Sequence, residues 1–309
     1  MPCYSPLIAW RAKHINPSGK TSLVFNQRDA AQPDDPVQLP CGQCIGCRLE
    51  KSRQWAMRIA HESSLYDQNC FLTLTFSDEH LPQNLSVSKR DLQLFMKRLR
   101  KANPKAKIRY FGCGEYGDEF NRPHYHICLF NFDFEDKELW KINKNGDRLY
   151  TSKECEKLWP FGYNVMGDVT FESGAYVARY IMKKQSEEKS KETGHYTRVD
   201  DHTGEVFTVD PEFVLMSRRP GIGKDWFDLY YKDAYPSDYI TLRGIKMRPP
   251  KFYDKEFEKI DEEDLLTEIK EKRSEYAKKF YLDNTPDRLL VRENVTKDKI
   301  NSYLKRPEQ

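Results

Sequence analysis

The chain has 309 residues, 38% of them hydrophobic and 32% charged, with a formal net charge of +3. That length supports one sizeable core, or a core with an appendage, and no apolar run approaches the ~20 residues that a bilayer-spanning helix needs. The net charge is too small to identify a nucleic-acid binder by itself, so the distribution of charge has to be read along the chain.

Residues 1–40 are rich in Pro, Ser, Asn and Asp around a short β-like "SLVF", and read as an irregular arm. "MPCYSPLIAW" has neither a basic leading region nor a long apolar one, so no secretion signal is expected. Without that signal, eight cysteines point to reduced thiols or metal ligands and to a cytosolic compartment. Cys41, Cys44 and Cys47 form C-x₂-C-x₂-C, with Cys3 or His61 as a candidate fourth ligand. A structural zinc site and reduced thiols packed at a turn both fit this spacing. An iron–sulfur cluster fits less well, because the local fourth cysteine of bacterial ferredoxins is missing. A basic, helix-compatible segment follows from Arg48 to Tyr66, carrying Arg48, Lys51, Arg53 and Arg58.

"FLTLTF" (71–76) alternates apolar residues with Thr and predicts a strand. "SVSKRDLQLFMKRLRKANP" predicts a helix, with a capping-box-like start at Ser88 and Asp91 and a stripe of Leu92, Phe95, Met96 and Leu99. Seven Lys or Arg residues crowd positions 97–109, a basic surface of the kind that holds phosphate backbones. "KIRYFGCGEYG" and "HYHICLF" predict two strands joined by the turn-rich "DEFNRP". A helix (152–159), a strand "YNVMGDVT" and a helix "SGAYVARYIMKKQ" follow. From residue 71 the order is strand, helix, strand, strand, helix, strand, helix. It matches an α+β, ferredoxin-like split βαβ plan with an antiparallel sheet covered by helices on one side. Residues 186–210 read as polar loop with a hairpin tip at "TGE". From residue 251 on, 29 of 59 residues are charged, which predicts surface helices around a few apolar anchors. The expected division is therefore an N-terminal arm with Cys cluster and basic helix (1–66), a core (67–185), a loop, hairpin and basic Gly-rich segment (186–250), and a charged helical C-terminal region (251–309).

In "RPHYHICLF", strand alternation points His124 and His126 to one face. Two imidazoles side by side form half of a metal site, and an oxygen ligand would suit Mg²⁺ or Mn²⁺. Glu115 on the preceding strand can face the pair across the ladder, with Asp118 and Glu119 as substitutes in the turn. Tyr176 and Tyr180 lie four residues apart on one helical face, with Lys183 near it as a counter-charge for phosphate. Tyr231, Tyr235 and Tyr239 repeat the spacing, but beside Pro236, which suits a continuous helix poorly. "RRPGIGKDW" lacks the GxxxxGK[ST] spacing, so ATP binding is rejected. Arg218, Arg219 and Lys224, with Arg48 and Arg53, are candidate contacts to a DNA backbone. Trp55, Tyr110 and Phe111 are more often core residues than base-stacking platforms.

A strand like "FLTLTF", a His-hydrophobic-His strand and a helix with "YVARY", in that order, resemble the HUH endonucleases of rolling-circle replication. The two-tyrosine helix is similar to that of the gene A proteins of isometric coliphages. "PCGQCIGCRLEKSRQWAMRIAHE", "GEYGDEFNRPHYHICLF" and "MSRRPGIGKDW" resemble, still more closely, the replication-associated proteins of gokushoviruses, from about residue 40 to 226. Arg179 stands where that family often has Lys. The resemblance implies an HUH-endonuclease core and a metal-dependent single-strand DNA endonuclease and strand transferase. Tyr176 and Tyr180 would be its nucleophiles, and His124, His126 and Glu115 its ligands for Mg²⁺ or Mn²⁺. It further implies single-stranded and supercoiled phage origin DNA as substrate, host helicase and DNA polymerase as partners, and the bacterial host cytoplasm as location. An HUH-type transposase and a non-catalytic nucleic-acid-binding protein are the alternatives.

Overall fold

The computed structural model describes residues 3–17, 19, 21–117, 120–183, 194–199 and 204–304, without the side chains of 179–183, 303 and 304. Its strands and helices, in chain order, begin with β1 (Leu7–Ile15), β2 (Thr21–Val24), β3 (Val37–Leu39), α1 (Ile45–Ser63) and β4 (Asn69–Thr75). There follow α2 (Lys89–Ala102), β5 (Arg109–Tyr116), β6 (Pro123–Phe130), β7 (Glu138–Ile142), β8 (Arg148–Thr151), α3 (Lys153–Leu158), β9 (Asn164–Gly167) and α4 (Phe171–Lys183). The remainder is β10 (Thr197–Val199), β11 (Val206–Thr208), β12 (Phe213–Met216), α5 (Lys224–Ala234), β13 (Ile240–Leu242), β14 (Ile245–Met247), α6 (Lys251–Phe257), α7 (Leu265–Lys278) and α8 (Pro286–Leu304). They group into two compact units, Met1–Lys51 with Thr267–Gln309, and Ser52–Leu266.

In the first unit the arm is not irregular. β1 pairs antiparallel with β2 and with β3, and the Tyr4 hydroxyl lies 2.8 Å from Thr296 Oγ1 on α8. Pro and Asp concentrate in the connections and leave short alternating stretches free to pair, which composition over forty residues averages away.

The larger unit is an α+β structure built on a seven-stranded antiparallel sheet of order β12-β5-β6-β4-β9-β8-β7. β4 and β5 both run antiparallel to β6, which lies between them, so the β4-α2-β5 connection is a split one. Alternation divides the sheet into two chemically different faces. Cys70, Leu72 and Leu74 of β4 and Tyr125, Ile127 and Leu129 of β6 meet the predicted stripe of α2, with Trp159 beyond α3. Phe111, Cys113, Cys128 and Phe130 face the other way, against Ile59 of α1 and Val177 of α4. Helices therefore cover both faces rather than one. The second cover comes from α1, which precedes the strand–helix pattern and so stood outside it. Trp55, Tyr110 and Phe111 pack in these cores.

Ser88 caps α2 as expected, accepting from Arg90 N at 3.2 Å. Asp91 does not complete a capping box; it accepts from the Tyr125 hydroxyl at 3.0 Å instead. β7, β8, β12 and α5 were not expected. β12 adds itself beside β5 from about a hundred residues downstream, a pairing without any local signature.

On α1, His61 is buried and stacked on Trp226, with ring centroids 3.6 Å apart, and its Nδ1 lies 2.8 Å from the Tyr253 hydroxyl. Burial pushes its pKa down from 6.5 to about 3. Between those values the unfolded chain binds a proton that the folded chain excludes, so stability falls as pH drops below 6.5. A loss of about 2 kcal/mol by pH 5 is expected from this residue. Urea midpoints at pH 7 and pH 5 check it, and the difference should shrink in His61→Phe.

Candidate active site

The β5–β6 hairpin is closed by Gly117 N donating to Arg122 O at 3.0 Å. That closure sets a register in which Glu115 stands opposite His124 and Cys113 opposite His126. Across the other edge of β6, Thr73 stands opposite His126. Glu115, His124, His126 and Thr73 therefore share the face that carries α4.

Glu115 is 2% exposed, and its Oε1 lies 2.6 Å from His124 Nε2 and 2.8 Å from His126 Nε2. Burial alone would raise the Glu115 pKa, but the hydrogen bonds from His124 and His126 outweigh it and hold the carboxyl below its ordinary value. The far side of each ring is also fixed. His124 Nδ1 donates to Arg122 O at 3.1 Å, and His126 Nδ1 lies 2.9 Å from Thr73 Oγ1. Since a carbonyl can only accept, Nε2 is the nitrogen that His124 presents to Glu115. Two imidazole nitrogens and one carboxylate oxygen thus lie within 4.8 Å of one another, close enough to hold one metal ion. The donor chemistry fits a divalent cation, and its two nitrogens favour Mn²⁺ over the harder Mg²⁺.

The Tyr176 ring meets His126 edge to face, with centroids 5.1 Å apart, and meets Phe71 at 6.3 Å. Phe71 itself stacks on His126 at 5.7 Å, so His126 is held between two aromatic rings. Position along α4 is set by Gly174. A Cβ there would lie 2.8 Å from Ile59 Cγ2, so only a glycine lets the helix come this close to α1. Tyr180 and Lys183 follow on α4, one and about two turns beyond Tyr176. Their side chains lie outside the described residues, as do Asp118 and Glu119.

The remaining predicted residues are spread more widely. Arg53 donates to Arg248 O at 2.9 Å, and Lys224 forms ion pairs with Asp228 and with Glu256. Arg218 and Arg219 are exposed, and Arg48 is half-buried in the smaller unit. Arg58 of the same basic segment is sandwiched between Trp55 and Phe252 at 4.0 and 3.9 Å, where burial pushes its pKa down to about 10. Tyr235 is buried, stacks on Phe257 at 4.2 Å and donates to Asp254 at 2.8 Å, as a packing residue does. Thr73, Phe71 and the Arg122 carbonyl escaped the sequence reading. The alternation in "FLTLTF" was a signal for the first two, since it places them on the face of the histidines.

Among the described residues no helix is long and apolar enough to cross a membrane. Residues 69–185 match the family described as Replication-associated protein ORF2/G2P. The chain is 30% identical over 267 residues to Replication-associated protein VP4 of Bdellovibrio phage phiMH2K, covering 84% of this chain and 78% of that protein. It is 34% identical over 254 residues to Replication-associated protein ORF2 of Spiroplasma virus 4, covering 78% and 74%. Replication-associated protein ORF4 of Chlamydia phage 1 is 26% identical over 250 residues, covering 79% and 57%. No solved structure matches. Similarity of this extent to two phage proteins, spanning most of each chain, makes this protein a member of the replication-associated protein family of small phages.

Proposed function

We propose that this protein is a metal-dependent, site-specific single-strand DNA endonuclease and strand transferase of the HUH class, initiating rolling-circle replication of a small phage genome. The observation that carries the reading is the convergence of Glu115, His124 and His126 on one point, with Tyr176 against His126. The split β4-α2-β5 arrangement around β6 supports assignment to the ferredoxin-like HUH core. Membership of a replication-associated family supports origin DNA as substrate.

In this mechanism the scissile phosphate lies beside the Glu115–His124–His126 set. Glu115, His124 and His126 would hold a divalent ion, Mg²⁺ or Mn²⁺, which would supply Lewis-acid polarisation of a phosphate oxygen. Arg122 O and Thr73 fix the two rings, so the ligand atoms do not reorganise as charge develops. The Tyr176 oxygen bonds to phosphorus and loses its proton to solvent. The bond from phosphorus to the 3′-oxygen breaks, and that oxygen leaves as a protonated 3′-OH. The product is a 5′-phosphotyrosine that keeps a phosphodiester linkage. The 3′-OH primes synthesis by the host polymerase on template opened by a host helicase, in the host cytoplasm. Tyr180, four residues on, cleaves the regenerated origin while the first link persists, and rejoining closes the displaced strand.

Incubation with origin-bearing single strands and Mn²⁺, followed by a denaturing gel, is expected to show protein covalently attached to the 5′ fragment. Hydrolysed ends without attachment would defeat the nucleophile assignment. Binding with neither product would favour a non-catalytic nucleic-acid-binding protein, and joining restricted to mobile-element ends would favour a transposase.

A further inference from the structure

The smaller unit holds a second cluster, far from the first in chemistry. Cys3, Cys41, Cys44 and Cys47 bring all four Sγ atoms within 4.8 Å of one another. His61, the other candidate ligand, belongs to the larger unit and is engaged with Trp226 and Tyr253. We propose that these four cysteines form a closed tetrathiolate site for a single structural zinc ion.

Three observations support this. The first is spacing. Sγ atoms of Cys41 and Cys47 are 4.0 Å apart, as are those of Cys3 and Cys44. Tetrahedral zinc with Zn–S bonds of about 2.3 Å holds its sulfurs roughly 3.8 Å apart. A disulfide needs about 2.05 Å, and all four thiols are free. A multi-iron cluster would hold its sulfurs further apart, because each bonds a different iron.

The second is donor arrangement. Backbone amides point at the sulfurs: Tyr4 N to Cys44 Sγ at 3.3 Å, Cys41 N to Cys3 Sγ at 3.3 Å, and Gln43 N and Cys44 N to Cys41 Sγ at 3.4 and 3.2 Å. Amide hydrogens directed at sulfur stabilise thiolate, the form that binds metal. Packed neutral thiols gain little from such donors. Gly42, at φ +75°, makes the turn that brings the Cys41 and Cys44 sulfurs together, a conformation other residues adopt at a cost.

The third is placement. Cys47 lies in the first turn of α1, where the helix dipole favours negative charge. Cys3 comes from nearly forty residues upstream, beyond the three-stranded sheet. The ion therefore closes a loop around that sheet. Closing it adds order to a unit whose buried apolar residues, among them Ala9, Ala12, Ala30, Ile269 and Leu289, are few and mostly small. All protein ligands are in place with no open position, so the ion is structural and not catalytic.

Metal analysis of the full-length protein is expected to give about one zinc per chain. It should be retained in a His124→Ala, His126→Ala double variant and lost in a Cys41→Ser, Cys44→Ser double variant. Because the cysteine variant risks misfolding, two measurements use the unaltered chain. Cobalt exchange should give the strong visible bands of a tetrahedral tetrathiolate ion. Alkylation mapped by peptide should leave Cys3, Cys41, Cys44 and Cys47 protected until chelation exposes them, while the buried Cys70, Cys113, Cys128 and Cys155 stay silent in both states. Fresh protein without zinc and without a tetrathiolate cobalt spectrum would overturn the site. So would iron in its place, or zinc that departs with the histidines and not with the cysteines.

Discussion

The Tyr176→Phe, Tyr180→Phe double variant is expected to bind origin DNA like the parent and to form no covalent complex, a loss of at least roughly 10³-fold in cleavage. Phe keeps the ring that meets His126 and Phe71 edge to face, so the packing beneath α4 should survive and only the hydroxyls are missing. Each single variant should still cut a short oligonucleotide, since residues four apart on one helix reach the same phosphate with a small shift. Neither should release closed circles, which requires two nucleophiles in alternation. Peptide mapping of the trapped adduct checks the assignment. Attachment at Tyr231, Tyr235 or Tyr239 would refute it, although Tyr235 would first have to leave its stack on Phe257.

His126→Ala should be nearly as severe, lowering cleavage by about 10³-fold while sparing most DNA affinity, because the basic surfaces are elsewhere. It should also destabilise the fold by about 1–3 kcal/mol, since a carboxylate only 2% exposed loses one of its donors. Glu115→Gln separates the two effects, preserving shape and removing the charge. It should lose cleavage with a smaller loss of stability. Activity measured with and without chelator, alongside urea midpoints, tests both variants. Full cleavage by either, or by the parent protein with its divalent ions chelated, would remove the metal from the mechanism.

Much of this site was legible because strand alternation is a strict rule. Once "KIRYFGCGEYG" and "HYHICLF" were read as paired strands, Glu115, His124 and His126 had to share a face. The stripe of α2 was legible for the same reason at helical period. What escaped depends on partners distant in sequence. Spacing could not choose between Cys3 and His61, because the choice is made by where β1–β3 return the chain. Asp91 had the right offset for a capping box, yet the hydroxyl of Tyr125, buried from another element, claimed it. β7 has five exposed residues and hence no apolar pattern, and its hairpin turn at Asn145-Gly146 was the remaining clue.

The close approach at Gly174 bears on how such proteins diverge. Clearance between α4 and α1 is set to within one methyl group by a glycine on one and Ile59 on the other. An imported α4 therefore keeps its seat against Ile59 only if it carries glycine at this position. A recombinant that imported α4 with alanine at this position would push Ile59 aside and tilt Tyr176 away from His126, unless residue 59 shrank with it. The two positions should drift as a pair, and a breakpoint falling between them should be selected against even where both parents are active.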